Sequence, residues 1–151
     1  MAGRIVVGVD DSLEAAAALR WAISEAELRD ATLDVVHAWT FVPVTTPADA
    51  GLVPVPWAEN VELLDTSRRA AEELASRVVA EIAGPTPAVE LSVSVVEGPA
   101  ADVLRAAATD ADLVVVGNRG RGNLLSAILG SVSSELADEA PCPVVIVRSA
   151  A

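Results

Sequence analysis

The most constraining stretch of the chain is an apolar, β-branched run that ends abruptly in a glycine-rich turn. Residues 113–116 are Leu-Val-Val-Val, and Gly117 follows at once. A run that is apolar at every position predicts a strand buried on both faces, as in a parallel sheet with helices on both sides. Glycine at the strand end lets a ligand approach the main chain closely. The stretch therefore predicts a binding loop at the end of a central strand.

Two further glycines and a serine complete a motif of fixed spacing. Gly117, Gly120, Gly130 and Ser131 follow the pattern G-x2-G-x9-G-S. A helix is predicted to start just after Gly130, and the first N–H groups of a helix have no partner within it. Such groups favour an anion. A strand, a glycine turn and a helix start together predict a phosphate cradle.

The rest of the chain alternates between strand and helix patterns. Predicted strands cover residues 4–10, 33–39, 89–95, 112–116 and 144–147. Predicted helices cover 12–29, 60–83 and 100–109, and a last helix runs from just after Gly130 to about residue 139. The alternation predicts one domain over residues 1–151, an α/β fold with a doubly wound five-stranded parallel sheet and helices on both faces. The third strand alternates polar and apolar residues, which favours an edge position.

Two local predictions concern the loops after the first two strands. Asp11 or Ser12 is expected to cap the first helix, and Glu14, three residues after Asp11, would complete a capping box. Residues 40–59 show no periodicity and contain four prolines. A loop without regular structure is therefore predicted there.

Charge and composition exclude several classes of function. The net charge is −12, which opposes binding to nucleic acid or to an anionic membrane. All ten basic residues are arginine, so the lysine of a P-loop is missing. Cys142 is the single cysteine, which fits a reducing compartment. No apolar stretch reaches the length of about 18 residues that a membrane span needs. A cytoplasmic protein without a signal peptide is expected.

Several segments together resemble a known family. The glycine–serine motif, G-V-D-D-S at 8–12, E-G-P at 97–99 and A-P-C-P-V at 140–144 resemble the universal stress protein family, in its ATP-binding branch. The resemblance covers nearly the whole chain and implies the strand order 3-2-1-4-5. It also implies that the protein binds ATP with Mg²⁺, forms a homodimer through the last strand (144–147), and acts in the stress response as a nucleotide-dependent regulator or protective factor.

The resemblance implies roles for eleven residues. Phosphates would lie on the main chain of the glycine loop and helix start, with hydroxyl donors from two serines, and adenine would lie at the end of the second strand. These residues are Gly120, Gly130, Ser131 and Val132 for the phosphates, Ser131 and Ser133 as hydroxyl donors, Gly117 beside the ribose, Asp10 near the ribose and phosphates, Ala38 for main-chain contact with adenine, and Val9 and Val116 as the pocket lining; Arg119 is the eleventh.

Some alternatives stay open at this point. Arg119 and Arg121 offer charge for phosphate oxygens or are solvated loop residues. His37, the only histidine, is expected to be a packed residue at a strand end rather than a catalytic base, because no nucleophile motif accompanies it. A nucleotide-independent protein-interaction module and a slow ATPase are the competing functions. Any ATP hydrolysis is expected to be slow.

Overall fold

The computed structural model describes residues 3–42, 45–48, 51–54, 57–120 and 129–149, and of residues 45–48, 51–54 and 57–59 it describes the main chain. The helices and strands within these residues are β1 (Arg4–Gly8), α1 (Leu13–Arg29), β2 (Thr32–Trp39), β3 (Thr45–Ala48), β4 (Gly51–Pro54), α2 (Trp57–Ala83), β5 (Leu91–Glu97), α3 (Ala100–Ala107), β6 (Leu113–Gly117), α4 (Ser131–Glu139) and β7 (Val144–Val147).

The main sheet of the described residues has five strands in the order β5-β2-β1-β6-β7. Every neighbouring pair in it is parallel, and Ile5 of the central strand lies beside Leu33 on one side and Leu113 on the other. This order is the predicted 3-2-1-4-5, which is therefore confirmed. The alternating strand β5 lies at one edge, as predicted, and β7 lies at the other.

Helices cover both faces of this sheet, because the central strands are apolar on both sides. On the first face β1, β2 and β6 pack against α1 and α2 through Ile5, Val7, Leu33, Val35, Val115, Leu19, Ala22 and Val78. On the second face the alternate residues of the same strands pack against α3 and α4 through Val6, Val36, Val114, Val116, Val103, Leu104 and Leu136. The doubly wound architecture predicted from the alternation is confirmed.

The prediction of an irregular loop over residues 40–59 is wrong in two respects. β3 and β4 form an antiparallel pair, in which Thr45 lies opposite Pro54 and Pro47 opposite Leu52. α2 begins at Trp57, three residues before the predicted start at position 60. Proline has no N–H to donate to a neighbouring strand. In a two-stranded ribbon each strand has one edge without a neighbour, so proline is tolerated where its missing N–H would face that edge. Proline count alone therefore overstated the irregularity.

The boundaries of several elements also differ from the prediction by one or two residues. β1 ends at Gly8 rather than at residue 10, because the Asp10 carboxylate accepts the Ser12 N–H (2.8 Å) and turns the chain toward α1. Ser12 is the N-cap residue, and its hydroxyl accepts the Ala15 N–H at 3.1 Å, so the capping box expected from Glu14 is not formed. β5 covers Leu91–Glu97 rather than 89–95, so it is shifted by two residues, and it pairs with β2 as far as Trp39. No helix among the described residues is long and apolar enough to cross a membrane.

Candidate functional site

The centre of the sheet contains the point at which the chain changes direction. From β1 the chain runs through α1, on the first face, to β2, whereas from β6 it runs through α4, on the second face, to β7. The carboxyl ends of β1 and β6 therefore separate, and open parallel sheets bind ligands at such a switch point. A cavity of about 330 Å³ opens there. This volume lies within the range of small-molecule sites, about 300–1,000 Å³.

The structure brings all eleven predicted site residues together around this one cavity. They are Val9, Asp10, Ala38, Val116, Gly117, Arg119, Gly120, Gly130, Ser131, Val132 and Ser133. Seven residues that were not predicted for the site also line it: Gly8, Ala15, Val36, His37, Ala100, Leu104 and Leu129. The cavity thus joins strand ends of β1, β2 and β6 to the starts of α3 and α4. The role of each residue toward a ligand stays a prediction.

One end of the cavity is the start of α4. Gly130 is the N-cap residue, with φ −76° and ψ 172°, and it has no side chain that could cap the first N–H groups of the helix. In the described part of the chain no partner is recorded for the N–H groups of Ser131 and Val132, both of which line the cavity. Unpaired N–H groups at the positive end of a helix dipole attract anions. This end of the cavity is therefore suited to a phosphate or carboxylate group.

Gly130 and Ser133 differ from the roles that the resemblance implied. The Gly130 N–H donates to the Asn118 carbonyl at 2.6 Å, so it is already paired. The Ser133 hydroxyl lies 3.1 Å from the Gly130 carbonyl and 3.2 Å from the Asn118 carbonyl, and the residue is only 1% exposed. Because a hydroxyl carries a single hydrogen, these carbonyls already share it. Both residues thus tie the main chain at Asn118, just after β6, to the start of α4.

The Asp10 carboxylate lies directly against the glycine turn. A Cβ placed on Gly120 would be 2.9 Å from Asp10 Oδ2, while Oδ1 accepts the Ser12 N–H. Any side chain at position 120 would therefore displace this carboxylate. Arg119 lines the same cavity and is exposed, which leaves its two alternative roles open. Arg121, the other arginine considered for phosphate binding, lies outside the described residues.

The other end of the cavity is the carboxyl end of β2, where the hydrogen bonds to β1 stop. Residues of a central parallel strand point their N–H and C=O groups alternately to one neighbour and the other. Thr32 and Val36 bond toward β1, and Leu33 and Trp39 bond toward β5. Ala38 therefore points toward β1. No partner is recorded on that side for its N–H or C=O within the described residues, so both are open to a ligand.

Two glycines of the site are explained by packing. A Cβ on Gly117 would lie 2.8–2.9 Å from the Glu14 carbonyl carbon, Cβ and carbonyl oxygen, in the first turn of α1. A Cβ on Gly8 would lie 2.6 Å from Leu104 Cδ1, on α3. Atoms cannot approach so closely without movement of the main chain or repacking. Gly117, expected beside a ribose, thus has an independent role in seating α1 against β6.

Asn118 and His37 are the polar residues of this region that the sequence did not assign to the site. Asn118 is 7% exposed, its carbonyl holds Gly130 and Ser133, and its Oδ1 is buried without a recorded partner in the described structure. His37 is 8% exposed and bonds the Val9 carbonyl through Nδ1 at 2.8 Å, which agrees with the packed histidine expected from the sequence. The only sequence signal for the contacts of Asn118 and His37 is that each is a polar residue at the end of a strand.

The described residues offer little other reactive chemistry. No group of three or more His, Cys, Asp and Glu side chains among them could hold a metal ion. Cys142 is half-buried and lies outside the cavity lining. Burial is the main cause that raises the pKa of its thiol above the ordinary value. A raised pKa disfavours the nucleophilic thiolate, so this cysteine is a poor nucleophile at neutral pH.

The fold and the position of the cavity define the class of protein: an α/β protein with a cavity at the switch point of an open parallel sheet, where such folds bind ligands. Residues 1–148 match the universal stress protein family. A universal stress protein from Mycolicibacterium smegmatis is 39% identical over 144 residues, which cover 95% of this chain and 47% of the relative. The chain belongs to the universal stress protein family. It spans about half the length of the curated relatives that it matches.

Solved structures of the same family share the architecture. Universal stress protein UspA from Lactobacillus plantarum is 28% identical, with a TM-score of 0.76 and coverage of 97% of both chains. The universal stress protein from Archaeoglobus fulgidus in complex with dAMP is 25% identical, with a TM-score of 0.59, and the match covers 96% of this chain and 97% of that one. The second of these relatives therefore binds an adenine nucleotide.

Proposed function

We propose that this domain binds ATP with Mg²⁺ at the switch point of its sheet and acts in the stress response as a nucleotide-dependent regulator or protective factor. The observation that carries the proposal is the pairing of two open main-chain sites across one cavity. The N–H groups of Ser131 and Val132 lie at one end, and the N–H and C=O of Ala38 lie at the other. The dAMP complex of the Archaeoglobus fulgidus relative supports an adenine nucleotide as the ligand.

The two ends suit the two ends of a nucleotide. A neighbouring donor and acceptor on the main chain at Ala38 match the edge of adenine, whose N1 accepts and whose amino group donates. Guanine presents the opposite order on the corresponding edge. The uncapped start of α4 suits the phosphates. Val116 and Leu104 supply apolar surface between the two ends.

Magnesium would arrive with the nucleotide. Mg²⁺ is held by one or two carboxylates together with phosphate oxygens and water, and it reduces the charge of the phosphates. Asp10 is the carboxylate that lines the cavity, and its position against Gly120 places it beside the glycine turn. The residues present thus fit an ion that is bound mainly by the phosphates.

Two features of the whole protein are part of the same proposal. We propose a homodimer formed by edge-to-edge pairing of β7, because all four of its residues are apolar and only half-buried at an edge of the sheet. An open apolar edge invites pairing with another strand. We also propose a cytoplasmic location, on the basis of the single cysteine and the acidic composition.

The test is a thermal shift with nucleotide. ATP–Mg²⁺ at a hundred times its dissociation constant should add about 2.7 kcal/mol to the free energy of unfolding. In a domain of this size that raises Tm by about 5–11 °C. Gly130→Asp should abolish the shift, because it places a carboxylate beside the phosphates. Ser134→Asp is the matched control: it adds the same charge to α4 at an exposed residue outside the cavity lining.

The outcomes separate the competing functions. A shift in wild type and in Ser134→Asp, but not in Gly130→Asp, supports nucleotide binding at this cavity. Absence of any shift in wild type at millimolar ATP–Mg²⁺ would favour a nucleotide-independent interaction module. Parallel titrations with AMP and ADP identify how many phosphates the site holds.

A further inference from the structure

We propose that His37 is a positioning residue that keeps the main-chain N–H of Ala38 available for the base of the bound nucleotide. The inference rests on the proposed function for its ligand and concerns a residue that does not itself need to touch the nucleotide. It starts from one hydrogen bond at the end of the sheet. His37 Nδ1 lies 2.8 Å from the Val9 carbonyl oxygen, and the contact is buried.

The direction of this hydrogen bond is fixed by chemistry. A carbonyl oxygen can only accept, so Nδ1 must carry the hydrogen, in the neutral and in the charged ring alike. His37 is 8% exposed and Val9 is 6% exposed, so water has little access to compete for the bond. The ring therefore holds the Val9 carbonyl in a fixed position just past the end of β1.

That carbonyl is the one that the next step of the parallel ladder would use. The Val9 N–H donates to the Val36 carbonyl at 2.9 Å. In a parallel pair the following bond would run from the N–H of Ala38, two residues on, to the Val9 carbonyl. No such bond is recorded among the described residues. The imidazole N–H donates to this oxygen instead, and the ladder between β1 and β2 stops one bond early.

The consequence is a main-chain donor without a partner at the wall of the cavity. Ala38 is half-buried and lines the cavity together with its neighbours Val36 and His37. A partly buried N–H that is left unpaired is unfavourable in the free protein, so a ligand that accepts a hydrogen bond there gains affinity. His37 thus preserves a binding group that ordinary sheet pairing would consume.

Two substitutions at position 37 separate this role from simple packing. His37→Leu removes the donor, so the Val9 carbonyl should recruit the Ala38 N–H and close the adenine end. His37→Asn places an amide nitrogen near the position of Nδ1 and should keep the Val9 bond. We expect the dissociation constant for ATP to rise by about three- to tenfold in the leucine variant, as for the loss of one hydrogen bond. The asparagine variant should stay near wild type. Binding of inorganic tripolyphosphate, which lacks the base, should be equal in all three.

The direct test is amide hydrogen exchange of the free protein, read by ¹⁵N NMR. In wild type the Ala38 amide should exchange much faster than that of Val36, which points to the same side within the paired ladder. Adding ATP should slow Ala38. In His37→Leu the Ala38 amide should be slow before any nucleotide is added, and in His37→Asn it should be fast again.

Each outcome decides the inference. Slow exchange of Ala38 in the free wild-type protein, at the level of Val36, would overturn it even if the leucine variant did not fold. Equal ATP affinity in wild type and a folded His37→Leu variant would also overturn it. If wild type shows the expected exchange pattern but binds no ATP, the proposed function fails while the action of His37 on the Ala38 amide stands.

Discussion

Gly117→Ala should destabilise the fold even in the absence of any ligand. The added Cβ would lie 2.8 Å from the Glu14 carbonyl carbon, 2.8 Å from its Cβ and 2.9 Å from its carbonyl oxygen. Ordinary contact begins at about 3.4 Å, so α1 and β6 must separate by about half an ångström. Glu14 belongs to the first turn of α1, which Ser12 fixes as N-cap, so the main chain there cannot yield locally.

The size of the effect follows from the cost of overpacking. Forcing one additional carbon into a well-packed interior costs typically about 1–3 kcal/mol of the free energy of unfolding. For a domain of this length the corresponding fall in Tm is about 2–12 °C. The assay is thermal and urea unfolding of the ligand-free protein, with an unchanged m value as evidence that the unfolding transition remains comparable.

Gly130→Ala is the matched control. It makes the same chemical change in the same loop region, but its Cβ would lie 3.3 Å from Arg119 Cα and 3.4 Å from the Asn118 carbonyl oxygen. Its φ of −76° is also normal for alanine. Because alanine is a poorer N-cap than glycine, we expect a loss of about 1 kcal/mol, or about 2–4 °C in Tm. A Gly117→Ala protein as stable as wild type would refute the packing argument, and a loss of ATP affinity at unchanged Tm would point to the ribose role instead.

Three further predictions concern the loop, the edge of the sheet and the chemistry. Ser133→Ala should lower the free energy of unfolding by about 0.5–1.5 kcal/mol, because it removes the hydroxyl hydrogen that the Asn118 and Gly130 carbonyls share, while each carbonyl keeps a main-chain donor. Ser134→Ala at an exposed position should have almost no effect, and equal effects in urea unfolding would contradict the assignment. Sedimentation should find a dimer at micromolar concentration, and a wild-type monomer would rule out the proposed pairing. Ile146→Pro should raise the dissociation constant of the dimer by about 5- to 150-fold. The Ile146 N–H points away from β6, and a twofold dimer would lose one such hydrogen bond from each protomer. ATP hydrolysis should stay well below the rates of about 1–100 s⁻¹ typical of kinases, because the chain has no lysine to neutralise the phosphates. Phosphate release within that range by wild type, lost in Gly130→Asp, would contradict this prediction and reveal a further catalytic group.

The fold was predictable because its strands carry strong local signals. The uninterrupted apolar run at 113–116 and the run at 144–147 have one satisfactory environment, a sheet covered by helices, and the structure places them as β6 and β7. Gly117 and Asp10 follow adjacent strands, so the topology alone brings their ends to one edge of the sheet. Most of the other predicted residues of the cavity lining were named through the family resemblance, and seven lining residues were not named.

The hairpin β3–β4 was not predictable from residue types. Proline at 47 and 54 argues against regular structure in a sheet interior, and only the pairing partner decides whether a missing N–H matters. The choice between Asp11 and Ser12 as the cap was equally undetermined. It depended on the Asp10 carboxylate, which takes the Ser12 N–H and sets where the helix begins.

By itself the sequence determined the parallel α/β architecture, the edge character of β5, and the position of Asp10 and the glycine–serine motif at the switch point. Spacing and hydrophobic pattern carry that information because they act along a single element. Only the tertiary structure decided what each group is used for: Ser133 and the Gly130 N–H hold the loop, Gly117 seats α1, and His37 reaches across to Val9. Those assignments depend on which atoms of distant segments meet, and no pattern along a single element specifies that.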